Sequence, residues 1–201
     1  GLEARLSDGD SPHDEHTRYP DFGPLEWSER VARSGGLTFG AREILVAYNV
    51  NLSESGAKVA RLVGSLVRSS GRLIKQDDGR KMRFPGSLPM VQGMGVPLET
   101  HGISQVSMNL RDVNQCPMHV AFEACKSIAG DHGVDVPGSE VVGLVPLSAI
   151  LTAGHWYAKE GETEESALVD AAIRGLGLNN LNSFDPKERI IEYALEEGGI
   201  Q

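Results

Sequence analysis

The chain has 201 residues, of which 28 are Asp or Glu and 19 are Lys or Arg, and its formal net charge is −9. This acidity argues against nucleic acid as a partner, because binding phosphates requires a basic face or stripe. No apolar run approaches the roughly 18 residues that cross a bilayer, so no membrane partner is expected, and the presence of only two cysteines favours a reduced, cytoplasmic protein.

The first 40 residues are predicted to form a connector. Residues 1–20 are rich in Asp, Glu, Ser, Gly and Pro and show no apolar period, which is typical of a linker. Because the chain begins at Gly1 inside this polar stretch, we expect it to be part of a longer protein. Residues 13–16 form a His-Asp-Glu-His run, but a linker does not provide the fixed geometry of a metal site, so no metal is predicted.

Two predicted strands each carry one apolar face and one polar face. The first strand spans Ile44 to Leu52 and the second spans Ile103 to Leu110, and the side chains of both alternate with a period of two. Carboxamides gain little from a half-buried strand surface, so several of them on one face predict contact with a polar ligand. The polar side chains of the two strands are Asn49, Asn51, Gln105, Ser107 and Asn109.

The remaining elements complete an alternating order of strands and helices. After the first strand, periodicity and turn residues predict a helix from Ser53 or Ser55 to about Arg68, then a long basic loop from Ser69 to Leu88. A hairpin of residues 90–98 with 103–110 follows. The chain then continues with a helix from Pro117 to about His132, a strand at 139–145 and further helices after Pro146. This order is that of the ferredoxin-like βαββαβ unit. We therefore predict an α+β sandwich, in which a four-stranded antiparallel sheet has helices on one face and further helices follow at the C-terminus. The polar side chains of its two central strands would then meet on the uncovered face.

Two features of these elements allow more than one interpretation. The long loop holds Arg72, Lys75 and Arg80, which form either a solvated charged surface or an electrostatic guide for an anionic ligand. His119, in the first turn of the second helix, is either a hydrogen-bonded structural residue or a candidate site residue near Asn109.

Five motifs of the chain, in this order, resemble one enzyme family. They are GAREILVAYNVNL, VQGMG, QVSMNL, GSEVVGLVPL and FDPKERIIEY. They are similar to the formiminotransferase domain of formimidoyltransferase-cyclodeaminases and of stand-alone glutamate formimidoyltransferases. The resemblance implies a tandem of two ferredoxin-like subdomains whose open sheet faces enclose a tunnel for folate.

Within that family architecture, the chain corresponds to the second subdomain. Residues 41–195 would form the subdomain, residues 1–40 the connector from a missing N-terminal subdomain, and residues 196–201 a tail. The implied reaction transfers the formimino group of N-formimino-L-glutamate to N5 of tetrahydrofolate, which is a co-substrate. The family's catalytic histidine belongs to the missing subdomain, so no catalytic residue is assigned here and the chain alone is expected to be inactive. A homo-oligomer is also expected.

The resemblance adds a folate-contacting loop, residues 23–36, to the site residues read from the strand pattern. Its residues that match the family are Gly23, Pro24, Ser34, Gly35 and Gly36.

Two other functions are compatible with the predicted fold. One is a non-catalytic folate-binding or oligomerisation module. The other is an RNA-binding module, which requires aromatic rings on the central strands. Polar residues stand where those rings would be, which disfavours RNA; they are Asn49, Asn51, Gln105 and Ser107.

Overall fold

The computed structural model describes residues 20, 22–24, 26–37 and 39–198. The chain divides into two compact units, residues 1–42 and residues 43–201. In the first unit, a short helix begins after Ser28, whose Oγ accepts a hydrogen bond from the Val31 amide, and ends at Gly35, which has a φ of 68°.

The elements of the described residues are numbered here in chain order. The helices are α1 (Glu29–Ser34), α2 (Lys58–Val67), α3 (Met118–Asp131), α4 (Leu147–Tyr157), α5 (Glu165–Leu176), α6 (Pro186–Arg189) and α7 (Ile191–Glu197). The strands are β1 (Val46–Leu52), β2 (Arg72–Lys75), β3 (Lys81–Phe84), β4 (Val91–Leu98), β5 (Ile103–Leu110) and β6 (Gly138–Val142). A turn of 3₁₀ helix, Glu99–His101, joins β4 to β5.

Four strands form one antiparallel sheet in the order β4-β5-β1-β6. The first and third strands of this sheet, β1 and β5, are therefore its central neighbours. Their register pairs Val46 with Leu110 and Leu52 with Ser104. The predicted α+β architecture with a four-stranded antiparallel sheet is confirmed, and β1 and β5 are neighbours at its centre as expected.

One face of the sheet forms the hydrophobic core. Tyr48, Val50 and Leu52 on β1 are fully buried, as are Val106 and Leu110 on β5. Helices α2 and α3 add their own buried residues to the same core. Alternation with a period of two sends every second strand residue into this core and leaves the intervening ones on the other face.

The backbones of α2 and β4 lie in direct contact. A Cβ atom on Gly95 would lie 2.1 Å from the Arg61 nitrogen, and one on Gly64 would lie 2.8 Å from the carbonyl carbon of Met94. The VQGMG segment therefore serves close packing of a helix on a strand.

Three sequence-based details are wrong. Helix α2 has no serine cap, because the Glu54 carboxylate accepts the Val59 and Ala60 amides instead. The stretch predicted as a loop, residues 69–88, contains the antiparallel hairpin of β2 and β3. The helical period of the segment also predicts that Val120 faces inward from α3, but Val120 is 38% exposed, because the helix turns His119 and Phe122 inward instead.

Backbone contacts connect the segments that follow the sheet. Val145 forms a parallel bridge with Ile190 just before α7. Helices α4 and α5 approach closely at Gly154, where a Cβ would lie 2.4 Å from the Leu168 carbonyl oxygen. Among the described residues, no helix is both long and apolar enough to span a membrane.

Candidate functional site

The five polar residues predicted on the two central strands lie on one face of the sheet, opposite the core. The register pairs Asn49 with Ser107 and Asn51 with Gln105, and it pairs Asn109 with Ala47. The sequence pattern therefore predicted correctly which side chains come together.

One end of this polar face is covered and internally hydrogen-bonded. Asn51 is fully buried and Gln105 is only 5% exposed. Gln105 Nε2 donates to Asn51 Oδ1 over 2.8 Å, and Asn51 Nδ2 donates to Asn180 Oδ1 over 3.0 Å. These amides therefore satisfy much of one another's hydrogen-bonding capacity at this end of the polar face.

The cover comes from the loop that follows α5, which crosses the edge of the sheet at Gly138. A Cβ on Gly138 would lie 2.4 Å from the Gly177 oxygen and 2.6 Å from Asn180 Cβ, so only glycine allows the loop to pass this close. The expectation that the whole polar face lies uncovered is therefore wrong at this end. No local sequence pattern predicts a contact between residues so far apart in the chain.

The other end of the polar face is open. Asn49, Ser107 and Asn109 are each half-buried. Asn49 Nδ2 donates to Gln105 Oε1 over 3.3 Å, and Asn109 donates to Gln92 over 3.4 Å, which is long for a hydrogen bond.

The open end of the polar face, formed by Asn49, Ser107 and Asn109, is called the open strip here. Apolar side chains on both edge strands flank it. Met94 on β4 pairs with Ser107 and is 60% exposed, while Val142 on β6 pairs with Ala47 and is 51% exposed. A polar strip of this kind between two exposed apolar side chains suits a flat ligand that has both hydrogen-bonding edges and an apolar surface.

A sixth polar residue, Glu140, lies on the same face and was missed by the sequence reasoning. It pairs with Asn49 across β1 and β6 and is half-buried. Its Oε2 accepts from Gln105 Nε2 over 3.3 Å, and its Oε1 accepts from Asn182 Nδ2 over 3.4 Å. A lone charge in the otherwise apolar strand SEVVGLV was the available signal, since the period of two places it on the polar face.

The predicted loop residues belong to the first unit, whereas the strand residues belong to the second. Gly23 has a φ of 101°, and Pro24 and Gly36 are exposed. Ser34 Oγ donates to the Arg30 carbonyl over 2.6 Å, and the Gly35 amide donates to the Val31 carbonyl. Ser34 and Gly35 thus end helix α1, and Gly35 supplies the left-handed backbone conformation needed there.

His119 belongs to the helical layer. Its ring stacks on Trp156 at a centroid separation of 5.1 Å, and its Nδ1 atom is buried without a hydrogen-bond partner. Burial lowers the pKa of His119, and the negative charge of Glu123 opposes that shift only partly. Since α3 packs on the core side of the sheet, His119 is not brought to the Asn109 strip.

Both cysteines are buried as free thiols. Burial raises the pKa of Cys116 to about 11, and burial together with the nearby Cys116 raises that of Cys125 to about 12. Neither thiol is a nucleophile at neutral pH, because the reactive thiolate is suppressed.

No cluster of three or more metal-ligating side chains occurs among the described residues. The His-Asp-Glu-His run at residues 13–16 lies outside the described residues.

A cleft of about 420 Å³ lies away from the sheet, between α5 and the C-terminal helices. Val169, Asp170, Lys187, Tyr193 and Glu197 contribute to its lining. Lys187 already pairs with Glu197 at 2.7 Å, and the Tyr193 hydroxyl already donates to a glutamate on α5. The cleft contains none of the polar strand residues, so the sheet face remains the candidate site.

Comparison with known proteins identifies the family. The profile described as "Formiminotransferase domain" matches residues 47–196. The chain is 37% identical over 200 residues to a formimidoyltransferase-cyclodeaminase of Dictyostelium discoideum and 38% identical over 183 residues to that of Mus musculus. These alignments cover 98% and 90% of the chain, but only 34% and 32% of those proteins.

A relative whose description names no cyclodeaminase is also similar. The glutamate formimidoyltransferase of Streptococcus pyogenes is 34% identical over 139 residues, which cover 69% of the chain and 40% of that protein. The chain thus spans between about a third and two fifths of the length of these relatives. It belongs to the formiminotransferase domain family.

Proposed function

We propose that the chain supplies the folate-binding half of a glutamate formimidoyltransferase. In this reaction the formimino group of N-formimino-L-glutamate moves to N5 of tetrahydrofolate, and glutamate is released. The observation that carries the proposal is the open strip of Asn49, Ser107 and Asn109 between the exposed side chains of Met94 and Val142. Membership of the family makes a pterin the flat, partly polar ligand that this strip would receive.

The proposed reaction also needs groups that this chain does not supply from its strip. Transfer between two nitrogens requires a group that moves a proton and dipoles that stabilise the tetrahedral intermediate. Asn49 and Asn109 are suited to orient the ring and to supply dipoles. The proton-transferring residue is expected from the N-terminal subdomain, as the family resemblance implies, and His119, which is buried against Trp156, is not a candidate for it.

Several further expectations belong to the same proposal. Gly23, Pro24, Ser34, Gly35 and Gly36 would contact folate, and Asn51 and Gln105 would position Asn49 rather than touch the ligand. The two buried thiols are consistent with a reducing compartment such as the cytoplasm. The complete enzyme is expected to be a homo-oligomer.

The assignment of the strip predicts a selective loss of affinity. Replacing Asn49 or Asn109 by Leu should weaken folinic acid binding by about 1 to 3 kcal/mol, since the ligand's polar edge loses its hydrogen-bond partner. Calorimetry measures the affinity and thermal unfolding checks that the domain still folds. Asn114→Leu, in the exposed turn before α3, is the matched control and should bind as the parent does. Unchanged affinity in both strip variants would remove the strip from the site.

Complementation separates this proposal from a non-catalytic folate-binding module. The chain mixed with the N-terminal subdomain of a family member should convert N-formimino-L-glutamate and tetrahydrofolate, whereas either part alone should not. Folate binding without turnover in the mixture would favour the non-catalytic module.

A further inference from the structure

We propose that the Glu140 carboxylate recognises a planar N–C–N pair of hydrogen-bond donors on the ligand of the sheet face. This inference deepens the proposed function and rests on it. It assigns to one residue the recognition of an amidine-like group, which amide side chains alone cannot match in charge or geometry.

Glu140 occupies a position next to the open part of the polar face. It lies beside Asn49 on the row of the polar face that also contains Ser107 and Met94. Its side chain is half-buried, so water is partly excluded around it. Charge-assisted hydrogen bonds are strengthened in such surroundings.

Its existing partners fix the carboxylate without using its full capacity. Gln105 donates to one oxygen over 3.3 Å and Asn182 donates to the other over 3.4 Å. Both donors are neutral amides and both contacts are long. An ionised carboxylate has about four acceptor positions, so each oxygen can accept a further donor from a ligand.

The chemistry of the acceptor selects the ligand group. A carboxylate binds two parallel N–H donors in the bidentate geometry that arginine uses. Two groups of the proposed substrates present such a pair. One is the formamidinium of N-formimino-L-glutamate, which is cationic at neutral pH, and the other is the aminopyrimidine edge of the pterin.

The test compares Glu140→Gln with the parent chain and with Glu99→Gln, an exposed glutamate in the turn between β4 and β5 that gives the same change in charge. Two probes are titrated and followed by nuclear magnetic resonance of the amide groups. Folinic acid carries the pterin edge, and formamidinium chloride carries the amidinium, with neutral formamide as its uncharged counterpart.

The parent chain should bind at least one of the probes with shifts at β6 and at the Gln105 side chain, and formamide should cause none there. Glu140→Gln should lose roughly 10- to 100-fold in affinity for that probe, the range expected for a hydrogen bond to a charged group, while Glu99→Gln should not. A loss for folinic acid identifies the pterin edge, and a loss for formamidinium identifies the formimino group.

Two results would overturn the inference. One is equal affinity of Glu140→Gln and the parent for both probes, which leaves the folate-binding proposal intact if folinic acid binds. The other is that neither probe causes resonance shifts at β6. Failure of folinic acid to bind the parent chain anywhere counts separately, against the proposed function.

Discussion

Ser139 shows how a single buried hydroxyl connects the sheet to the helix that follows it. Its Oγ accepts from the Tyr48 hydroxyl over 2.8 Å and donates to the Leu176 carbonyl over 2.7 Å. All three residues are fully buried, and burial is the main reason that the pKa of Tyr48 is raised. A neutral hydroxyl relay of this kind fixes the end of α5, from which the loop covering Asn51 departs.

Ser139→Ala should destabilise the chain by about 1 to 3 kcal/mol, because it leaves the Tyr48 hydroxyl and the Leu176 carbonyl buried without partners. Tyr48→Phe should lower the free energy of unfolding by less, about 1 kcal/mol, since Ser139 keeps its hydrogen bond to the Leu176 carbonyl. Urea unfolding measures both, and the double variant should cost less than the sum of the two. Equal, additive costs would contradict the relay.

The period of two predicted the five polar strand residues on one face. It could not predict that Asn51 and Gln105 are buried, because their cover depends on Gly138 and on Asn180, which lies on a distant loop. Glu140 was predictable from the same period and was overlooked because its strand is otherwise apolar.

The start of helix α2 depends on a carboxylate. Burial alone would raise the pKa of Glu54, but hydrogen bonds from the Ala60 and Val59 amides and the Ser104 hydroxyl outweigh it, so the pKa lies below its ordinary value of 4.5. Because the folded-state pKa is lowered, the ionised cap stabilises the fold above about pH 4.5 and this contribution is lost as the pH falls through the folded-state pKa.

Glu54→Gln should therefore lower the free energy of unfolding by about 0.5 to 1 kcal/mol at pH 7, as expected for a partly exposed cap. The difference from the parent should become smaller as the pH is lowered below 4.5, because the carboxylate is then progressively protonated in the folded state. Denaturant titrations over a series of pH values measure it, with Glu99→Gln as the control. A difference that does not change with pH would show that the charge of Glu54 has no part in the cap.

The close contact between α2 and β4 predicts that two glycines of β4 differ in how well they tolerate a side chain. A Cβ on Gly95 would lie 2.2 Å or less from backbone atoms of Ala60 and Arg61, whereas one on Gly93 would meet nothing closer than 3.4 Å. Gly95→Ala should destabilise the chain by about 3 kcal/mol or more, because the helix must move off the strand.

Gly93→Ala, on the same face of the same strand, should change stability by less than about 1 kcal/mol. Thermal unfolding of the two variants measures the contrast. Equal effects would mean that the backbone approach at Gly95 is not what the fold requires.

Element order and type were predictable because long periodic segments carry a strong signal. The β2–β3 hairpin was not predictable, because each of its two faces carries both charged and apolar side chains. One face carries Leu73, Lys75, Lys81 and Arg83, and the other carries Arg72, Ile74, Met82 and Phe84. Such a pattern has the composition of a solvated loop.

The segment that forms this hairpin is basic, although the chain as a whole has a net charge of −9. The three basic side chains that were expected to attract an anionic ligand together do not share one surface. Arg72 lies on the opposite face of the hairpin from Lys75, and Arg80 pairs with Asp78 at 2.6 Å in the turn. Lys75 and Lys81, directly opposite each other, are therefore the cations best placed to attract an anionic ligand.

Replacing Lys75 and Lys81 by Gln should weaken the binding of polyglutamylated folate by roughly two- to fivefold at low ionic strength, and by less at high salt, where charges are screened beyond about 3 Å at 1 M. Arg72→Gln, on the opposite face, should have a smaller effect. Calorimetry at two salt concentrations measures both. A loss that is the same at both concentrations would indicate structural damage rather than steering.

An amide resonance titration of the chain with folinic acid would show whether the open end of the polar sheet face receives folate. We expect the largest shifts at the strip residues Asn49, Ser107 and Asn109 and at their neighbours on β4 and β6, with little change in α5 to α7. Shifts concentrated at the cleft between α5 and α7, or no shifts at all, would contradict the claim.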